Sequence, residues 1–283
     1  DRARTVRVRH CRASPFVTAP LRGEITRRNL PIRVIASTNL AVHRDTDGSL
    51  TEVLGHSEDA EEHLPSEALV YCEFSRHTRP EALDELRQTM LDILTEVEEV
   101  VDDFAAIRAR LDAVVERSGA REGAETDLRD EAAAFLVWLR QHHMTLLGYE
   151  YLEVDRSGPR PLVSASQEGR LGLLRFRQTR GVADLEADLA SMPDEELQRR
   201  QLSFSKSRLR SRVHRLTYPD YVEVREFNAA GEVVGQHRFI GFYTSSVYTM
   251  NPKYIPILRL MVQAVMEMSH LDWAEHETRE LAR

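Results

Sequence analysis

The sequence predicts an α+β protein of two domains, each built on an antiparallel sheet. Three observations lead there. Thr5 to Cys11 alternates apolar and basic residues, the period-2 signature of a half-buried strand. Thr78-Arg79-Pro80-Glu81 forms a capping box, and apolar residues spaced alternately by three and four follow it, which specifies a long helix. In the second half, the strand Tyr221–Asn228 and the stretch Glu232–Asn251, which puts a β-forming run directly before an apolar helix, flank the turn Ala229-Ala230-Gly231 and specify a hairpin. The length of 283 residues exceeds one domain of the usual size of about 100 to 200 residues.

Composition narrows the function classes. A formal net charge of -8 argues against a general nucleic-acid surface, which needs an excess of Lys and Arg over the acidic residues. Only Cys11 and Cys72 are present, so free thiols in a reducing compartment are expected rather than a disulfide framework. No apolar run approaches 18 residues and no signal peptide is recognisable, so a cytoplasmic protein without membrane contact is expected. The chain lacks an initiator Met and starts close to a strand, and it is expected to belong to a longer polypeptide.

The first domain is placed at 1–117. After the first strand and a turn at Ala13 to Phe16, a short helix over about Pro20 to Asn29 is expected, with Thr18 or Ala19 as its cap and Pro20 in the first turn. Ile32 to Arg44 is the second strand. Asp45-Thr46-Asp47-Gly48 is a turn, His56 to Pro65 an acidic surface loop, and Glu67 to Ser75 the third strand. The long helix carries Leu83, Leu86, Met90, Ile93, Val97, Val100, Phe104, Ile107, Leu111 and Val114 as a narrow apolar stripe, suited to core or subunit packing. Thr95 to Val101 alternatively forms a fourth strand. This order is that of the ferredoxin-type βαββαβ unit, the arrangement of ACT domains. The loop between first strand and first helix, Arg12 to Phe16, lacks the acidic residue and glycine of many amino-acid-binding ACT domains, so Ser14, Pro15 and Phe16 are candidates for subunit pairing.

The glycine-containing stretch 118–127 reads as a linker, 128–272 as the second domain and 273–283 as the start of a connecting helix. A helix to His143 precedes strands at Met144–Val154 and Leu162–Ser166. A helical stretch from Asp184 to Arg200 is interrupted at Pro193, and Leu202 to Leu216 is a further β-like run. The hairpin completes a five-stranded antiparallel sheet, and the amphipathic helix Tyr254–Ser269 is expected to cover one face with Leu258, Met261, Val262, Val265 and Met268. Such a domain resembles the PAS and GAF sensor folds.

A family resemblance rests on Arg212-Val213-His214-Arg215, then Tyr218, Asp220 and Tyr221, then Gly231 to Gly235, Arg238 to Ser246 and Ile255 to Arg259. Leu147-Gly148-Tyr149, Leu171 to Arg175 and the segment from Pro15-Phe16 to Asp47-Gly48 agree with it in the same order. Together these are similar to the N-terminal part of the large bacterial NAD-specific glutamate dehydrogenases. The sequence departs from them at Leu260 and Met261, where the family tends to carry basic residues, and over Leu271 to His276. The resemblance implies ACT-like and PAS-like modules that build a homo-oligomer and transmit a small-molecule effector signal. It also implies that NAD and glutamate chemistry belong to a separate catalytic domain. A free-standing ligand-sensing or interaction module is the alternative.

The residues themselves point away from catalysis. No glycine-rich turn with an acidic residue about 20 positions on is present, and Gly169-Arg170-Leu171-Gly172 lacks the third glycine of a dinucleotide loop. The only lysines, Lys206 and Lys253, offer no pattern for a reactive amine. His142 and His143 are adjacent and point apart, His270 and His276 share no face, and His214 is expected to be a structural histidine beside Tyr218 and Tyr221, so no metal site is expected. Lys206, Arg208, Arg210 and Arg212 would form one basic row on a strand, suited to an anionic effector or an acidic subunit surface, or to keeping an edge soluble.

Overall fold

The computed structural model describes residues 4–12, 16–56, 66–75, 79–118, 128–166, 169–175 and 179–268. Its chain forms two compact units, Asp1–Asp103 with Arg208–Pro219, and Phe104–Ser207 with Asp220–Arg283. The division thus falls inside a helix, and a short segment from late in the chain joins the first unit.

In the first unit β1 (Arg4–Arg12), α1 (Thr18–Arg27), β2 (Ile32–Arg44), β3 (Leu50–His56), β4 (Ser66–Ser75) and the first part of α2 (Pro80–Arg117) follow one another. The sheet is antiparallel in the order β1-β4-β2-β3. β3 is an addition to the expected order. Asp45 Oδ1 accepts from the amides of Asp47 (3.1 Å) and Ser49 (2.7 Å), and Gly48 takes φ +79°, so the turn reverses the chain tightly enough for a hairpin. Thr95 to Val101 is helical, because Ile93, Val97 and Val100 continue the three-four stripe and are buried. The described order is therefore βαβββα, without a strand after α2 in this sheet.

α1 begins at Thr18 without a side-chain cap, two residues earlier than Pro20, and Thr78 lies outside the described residues. α1 buries Leu21 and Ile25 together with Glu24, whose carboxylate is bound by Arg27 and Arg28. Burial alone would raise the Glu24 pKa, but the two guanidinium groups hold it below the ordinary value. Segment 208–219 completes this unit. Arg212 makes a two-pronged bond to Glu96 (2.5 and 3.2 Å), and Val213 is fully buried. Leu216 fills the space over Gly23, where an added Cβ would stand 2.0 Å from its Cδ1.

The second unit contains the rest of α2, then α3 (Leu128–Trp138) closed by a π turn (Leu139–His143), β5 (Met144–Asp155), β6 (Leu162–Ala165) and β7 (Leu171–Gly172). α4 (Gly181–Ser191), α5 (Asp194–Arg199), β8 (Leu202–Lys206), β9 (Asp220–Phe227), β10 (Val233–Tyr243), α6 (Ser245–Thr249) and α7 (Leu258–Met268) complete it. The sheet is antiparallel in the order β6-β5-β10-β9-β8, with β7 on β5, six strands where five are expected. On one face Ile107, Leu111 and Val114 of α2 and Phe135 and Leu136 of α3 meet Tyr149, Val222, Val224 and Phe239. On the other, Leu185 of α4 and Leu197 of α5 cover Leu152, Val163 and Val233. A β-bulge shifts the β5–β10 register at Ile240/Gly241, where any side chain at 241 would stand 2.2 Å from the Thr145 carbonyl.

Four further expectations are corrected. The β-like run Leu202–Leu216 is a strand only to Lys206, because the chain leaves the sheet there and Arg208–Pro219 belong to the first unit. The helix expected from Tyr254 starts at Leu258, after Glu131 accepts from the Ile257 amide (2.8 Å) and from Arg259 (2.9 Å). Its apolar side does not cover the sheet among the described residues, since Met261 and Met268 are 61% and 75% exposed and only Met266 is buried. Phe104, expected in the α2 stripe, is likewise exposed.

Gly172 is the backbone position with least latitude. It holds φ +58°, and a Cβ there would lie 2.3 Å from the Leu147 carbonyl oxygen. Gly172→Ala is expected to destabilise the second unit by about 1–3 kcal/mol, measured as a lower urea midpoint. Gly158→Ala, whose nearest contact is 3.7 Å away, is expected to leave the midpoint within about 0.5 kcal/mol.

Candidate effector site

Adjacent residues of a strand face opposite sides, so β10 sends His237 toward α2 and Arg238 to the other face. Each anchors a polar cluster. His237 is almost fully buried, with Nδ1 2.8 Å from the Tyr149 hydroxyl and Nε2 3.1 Å from Nη2 of Arg117, the last residue of α2. A guanidinium only donates, so Nε2 is the accepting nitrogen and Nδ1 carries the proton that is donated to Tyr149. Glu226 of β9 closes the cluster, accepting from Arg117 (3.2 Å) and from the Tyr151 hydroxyl (2.9 Å).

The shifts follow from this placement. Burial first, and then the charge of Arg117, hold the His237 pKa down at about 4. Burial pushes Tyr149 up to about 12. Tyr151 is raised by burial and by its bond to Glu226.

Two cavities open beside this cluster. One of about 430 Å³ is walled by Val114, Val224 and Phe227 and reached by Arg117, Glu226 and His237. The other, of about 600 Å³, lies against the turn Asn228 to Gly231 and is lined also by Asp130 and Gln198. Arg117, Ser118, Gln201 and Phe227 line both. Both fall in the size range of small-ligand sites, about 300–1,000 Å³. The turn is held by Asn228, whose Oδ1 accepts from the amides of Ala230 and Glu232 (3.0 Å each), and by Gln198, which donates to the Gly231 carbonyl (2.9 Å).

The opposite face is closed by charge. Arg238 donates to Glu150 and to Glu223 (2.9 Å) and lies 4.2 Å from the Tyr221 ring centroid. Arg170 approaches the second oxygen of Glu150 at 3.3 Å, and Arg225 donates to Asp188 and the Arg200 carbonyl. All of these side chains except Asp188 are mostly buried, and each charge has an opposite partner, as the low-dielectric interior requires.

The residues singled out from sequence lie elsewhere. Ser14 and Pro15 fall outside the described residues. Phe16 adopts φ +69° and meets the His214 ring edge-on at 4.8 Å. The basic row does not form on one strand. Lys206 ends β8 and binds Asp220 (2.7 Å), Arg208 is exposed, Arg210 donates to the Leu216 carbonyl (2.9 Å), and Arg212 holds Glu96. Gly169 to Gly172 serves packing, with Arg170 beside Glu150 and Gly172 against β5. Cys11 stands opposite Ala68 and Cys72 opposite Arg7, so the cysteines are on neighbouring strands but out of register. His143 stacks on Trp138 at 4.3 Å. Among the described residues no group of three or more His, Cys, Asp or Glu is placed to hold a metal, and no helix is long and apolar enough to cross a membrane. Arg117, Tyr149, Glu226 and His237 went unnoticed in the sequence, where 120 residues separate Arg117 from His237.

The His237 shift carries a pH dependence. An unfolded histidine titrates near about 6.5, so between there and a folded value of about 4 the unfolded chain binds more protons. The contribution is complete above pH ~6.5 and is lost as pH falls toward ~4, with a slope of up to ~1.4 kcal/mol per pH unit. NMR titration of the His237 ring is expected to show no protonation above pH ~5, and Arg117→Met is expected to move the midpoint upward. A wild-type midpoint near pH ~6.5 would contradict the assigned tautomer and burial.

Comparison with known proteins finds similar sequences. Residues 4–90 match the glutamate dehydrogenase ACT1 domain. An NAD-specific glutamate dehydrogenase of Halomonas elongata is 36% identical over 271 residues, 94% of this chain, and one of Pseudomonas aeruginosa is 32% identical over 95% of it. The chain spans 17% of the length of each of these relatives. The structure of an RNA-binding light-oxygen-voltage receptor aligns at 12% identity over 89% of this chain and 85% of that one, but its TM-score of 0.17 carries no argument. Residues 4–90 are therefore similar to the glutamate dehydrogenase ACT1 domain, and nearly the whole chain is similar to a part of NAD-specific glutamate dehydrogenases that makes up 17% of their length.

Proposed function

We propose that this segment is the non-catalytic regulatory and assembly part of a large NAD-dependent glutamate dehydrogenase. The whole enzyme would convert L-glutamate to 2-oxoglutarate and ammonia, with NAD bound in a catalytic domain elsewhere in the polypeptide. One observation carries the proposal: similarity to such enzymes extends over 94% of the chain but 17% of the relative, and the chain opens with an ACT1 match.

The finer assignments follow from the two sheets. The first unit is read as ACT-like, with β1-β4-β2 as the shared part of a ferredoxin-type sheet and β3 as its added edge. The second is read as PAS-like. Five antiparallel strands run in the order β6-β5-β10-β9-β8, with the short helices α4 and α5 between its second and third strands in sequence, and this supports a sensor type of domain. The oligomer is read as a homo-oligomer of the cytoplasmic enzyme, joined through both units, and the cavities beside Arg117 offer room for an effector.

The chain alone is expected to form no NADH from glutamate and NAD, while the full-length enzyme does. Removing residues 1–268 from the full-length enzyme is expected to lower the number of protomers per oligomer, read by light scattering. Turnover by the isolated chain, or an unchanged protomer number and unchanged kinetics after the deletion, would overturn the proposal.

A further inference from the structure

Resting on the assembly reading above, we infer that α7 pairs antiparallel with the α7 of a second copy of this chain, along a seam of Leu258, Met261, Val265 and Met268. These side chains are 37%, 61%, 54% and 75% exposed among the described residues. Their spacing of three, four and three is the 3.5-residue period of helices seated on one another. At about 100° per residue they fill a sector of only about 80°. A helix that covers a sheet shows a stripe of about 100° or more, whereas a narrower one is the seam of a helix pair. Val262 and Ala264 flank the seam, while Arg259, Gln263 and Glu267, the polar residues of the helix, project from the other side. The face offered to a partner therefore carries no charge.

The helix is anchored where it begins. The buried Glu131 carboxylate accepts from the Ile257 amide (2.8 Å) and from Nε of Arg259 (2.9 Å), and Met266 is buried on the side away from the seam. Ile257 takes φ +69°, a costly conformation for a β-branched residue, so the surrounding structure imposes the direction in which the chain enters α7. A seam presented on a fixed helix loses less freedom on docking. The spacing then selects the partner. Leu258 and Met268 lie five residues to either side of Gln263, and Met261 and Val265 lie two. A second α7 turned end for end about that point sets Leu258 against the partner's Met268 and Met261 against the partner's Val265. Each contact occurs twice, which closes the pair as an isologous dimer, and the opposed helix dipoles favour it. Four side chains per helix are few beside the roughly 20–30 residues a side of a stable interface, so the pairing is weak for the chain alone and acts at the local concentration that an oligomer supplies.

Oxidative cross-linking reads both the pairing and its direction. Chains carrying Met261→Cys and chains carrying Val265→Cys are expected to join by a disulfide about tenfold faster when mixed than either does alone, because only the mixed pair faces across the seam. Sedimentation over a concentration series is expected to show Met261→Glu weakening dimer formation about tenfold or more, while Gln263→Lys, on the far side of the helix, dimerises like the parent chain. No cross-link in the mixture, equal cross-linking of each variant alone, or a dimer indifferent to Met261→Glu overturns the inference. If another segment of the longer polypeptide covers this face, the mixed chains do not cross-link and Met261→Cys in the full-length enzyme is shielded from thiol reagents, and the inference falls equally. Cross-linking by the chain alongside an unchanged protomer number after deletion of 1–268 sustains the inference and removes the assembly reading. A lowered protomer number without cross-linking does the reverse.

Discussion

The second unit depends on one constraint: β5 and β10 lie side by side in a sheet that is covered on both faces. A strand buried on one side sends its polar residues to water. Over their paired middle these two strands have little such outlet, so the buried Glu150, His237 and Arg238 find partners inside, while Glu153 and Asp155 near the end of β5 reach solvent. Glu150 and Arg238 meet across the ladder, and Glu223 of β9 completes the neutralisation. His237 is met by Tyr149 and Arg117. Burying such groups unpaired would cost several kcal/mol each, so their mutual placement specifies the register as firmly as the apolar contacts do. The bulge at Gly241 and the glycines at 148 and 172 follow from the same crowding, because three backbones approach where β7 joins β5.

What could be read from the sequence was what is decided locally. The hairpin around Ala229 to Gly231 was legible because its turn chemistry and both flanking runs lie within about two dozen residues. The interruption at Pro193 and the start of the long helix near Pro80 are equally local. β3 was missed because its residues are exposed on both sides, which leaves no apolar alternation to detect. The basic run after Lys206 has the alternation of a strand, yet Ser207, Ser211 and Val213 are buried in contacts that sequence spacing does not encode. The helix from Leu258 showed its amphipathic pattern plainly, and that pattern could not say whether anything in the described chain would cover it.

The candidate site illustrates the same limit. Nothing in the sequence marks Glu150, Arg238 and His237 as buried, and only the pairing of distant elements makes them interior groups. The site joins the end of α2 to the β9–β10 hairpin through three side chains, Arg117, Glu226 and His237. An ion pair at a cavity wall presents charges that can change partners at small cost.

The late segment 208–219 has a consequence for biosynthesis. The sheet and helices of the first unit leave the ribosome early, but Val213 and Leu216, which fill its interior, and Arg212, which neutralises Glu96, are translated only after all of 104–207. At about 5–20 residues per second that delay is on the order of ten seconds. For that interval the nascent amino-terminal half carries an open apolar notch over Gly23, so its maturation is timed by elongation through the other half of the chain.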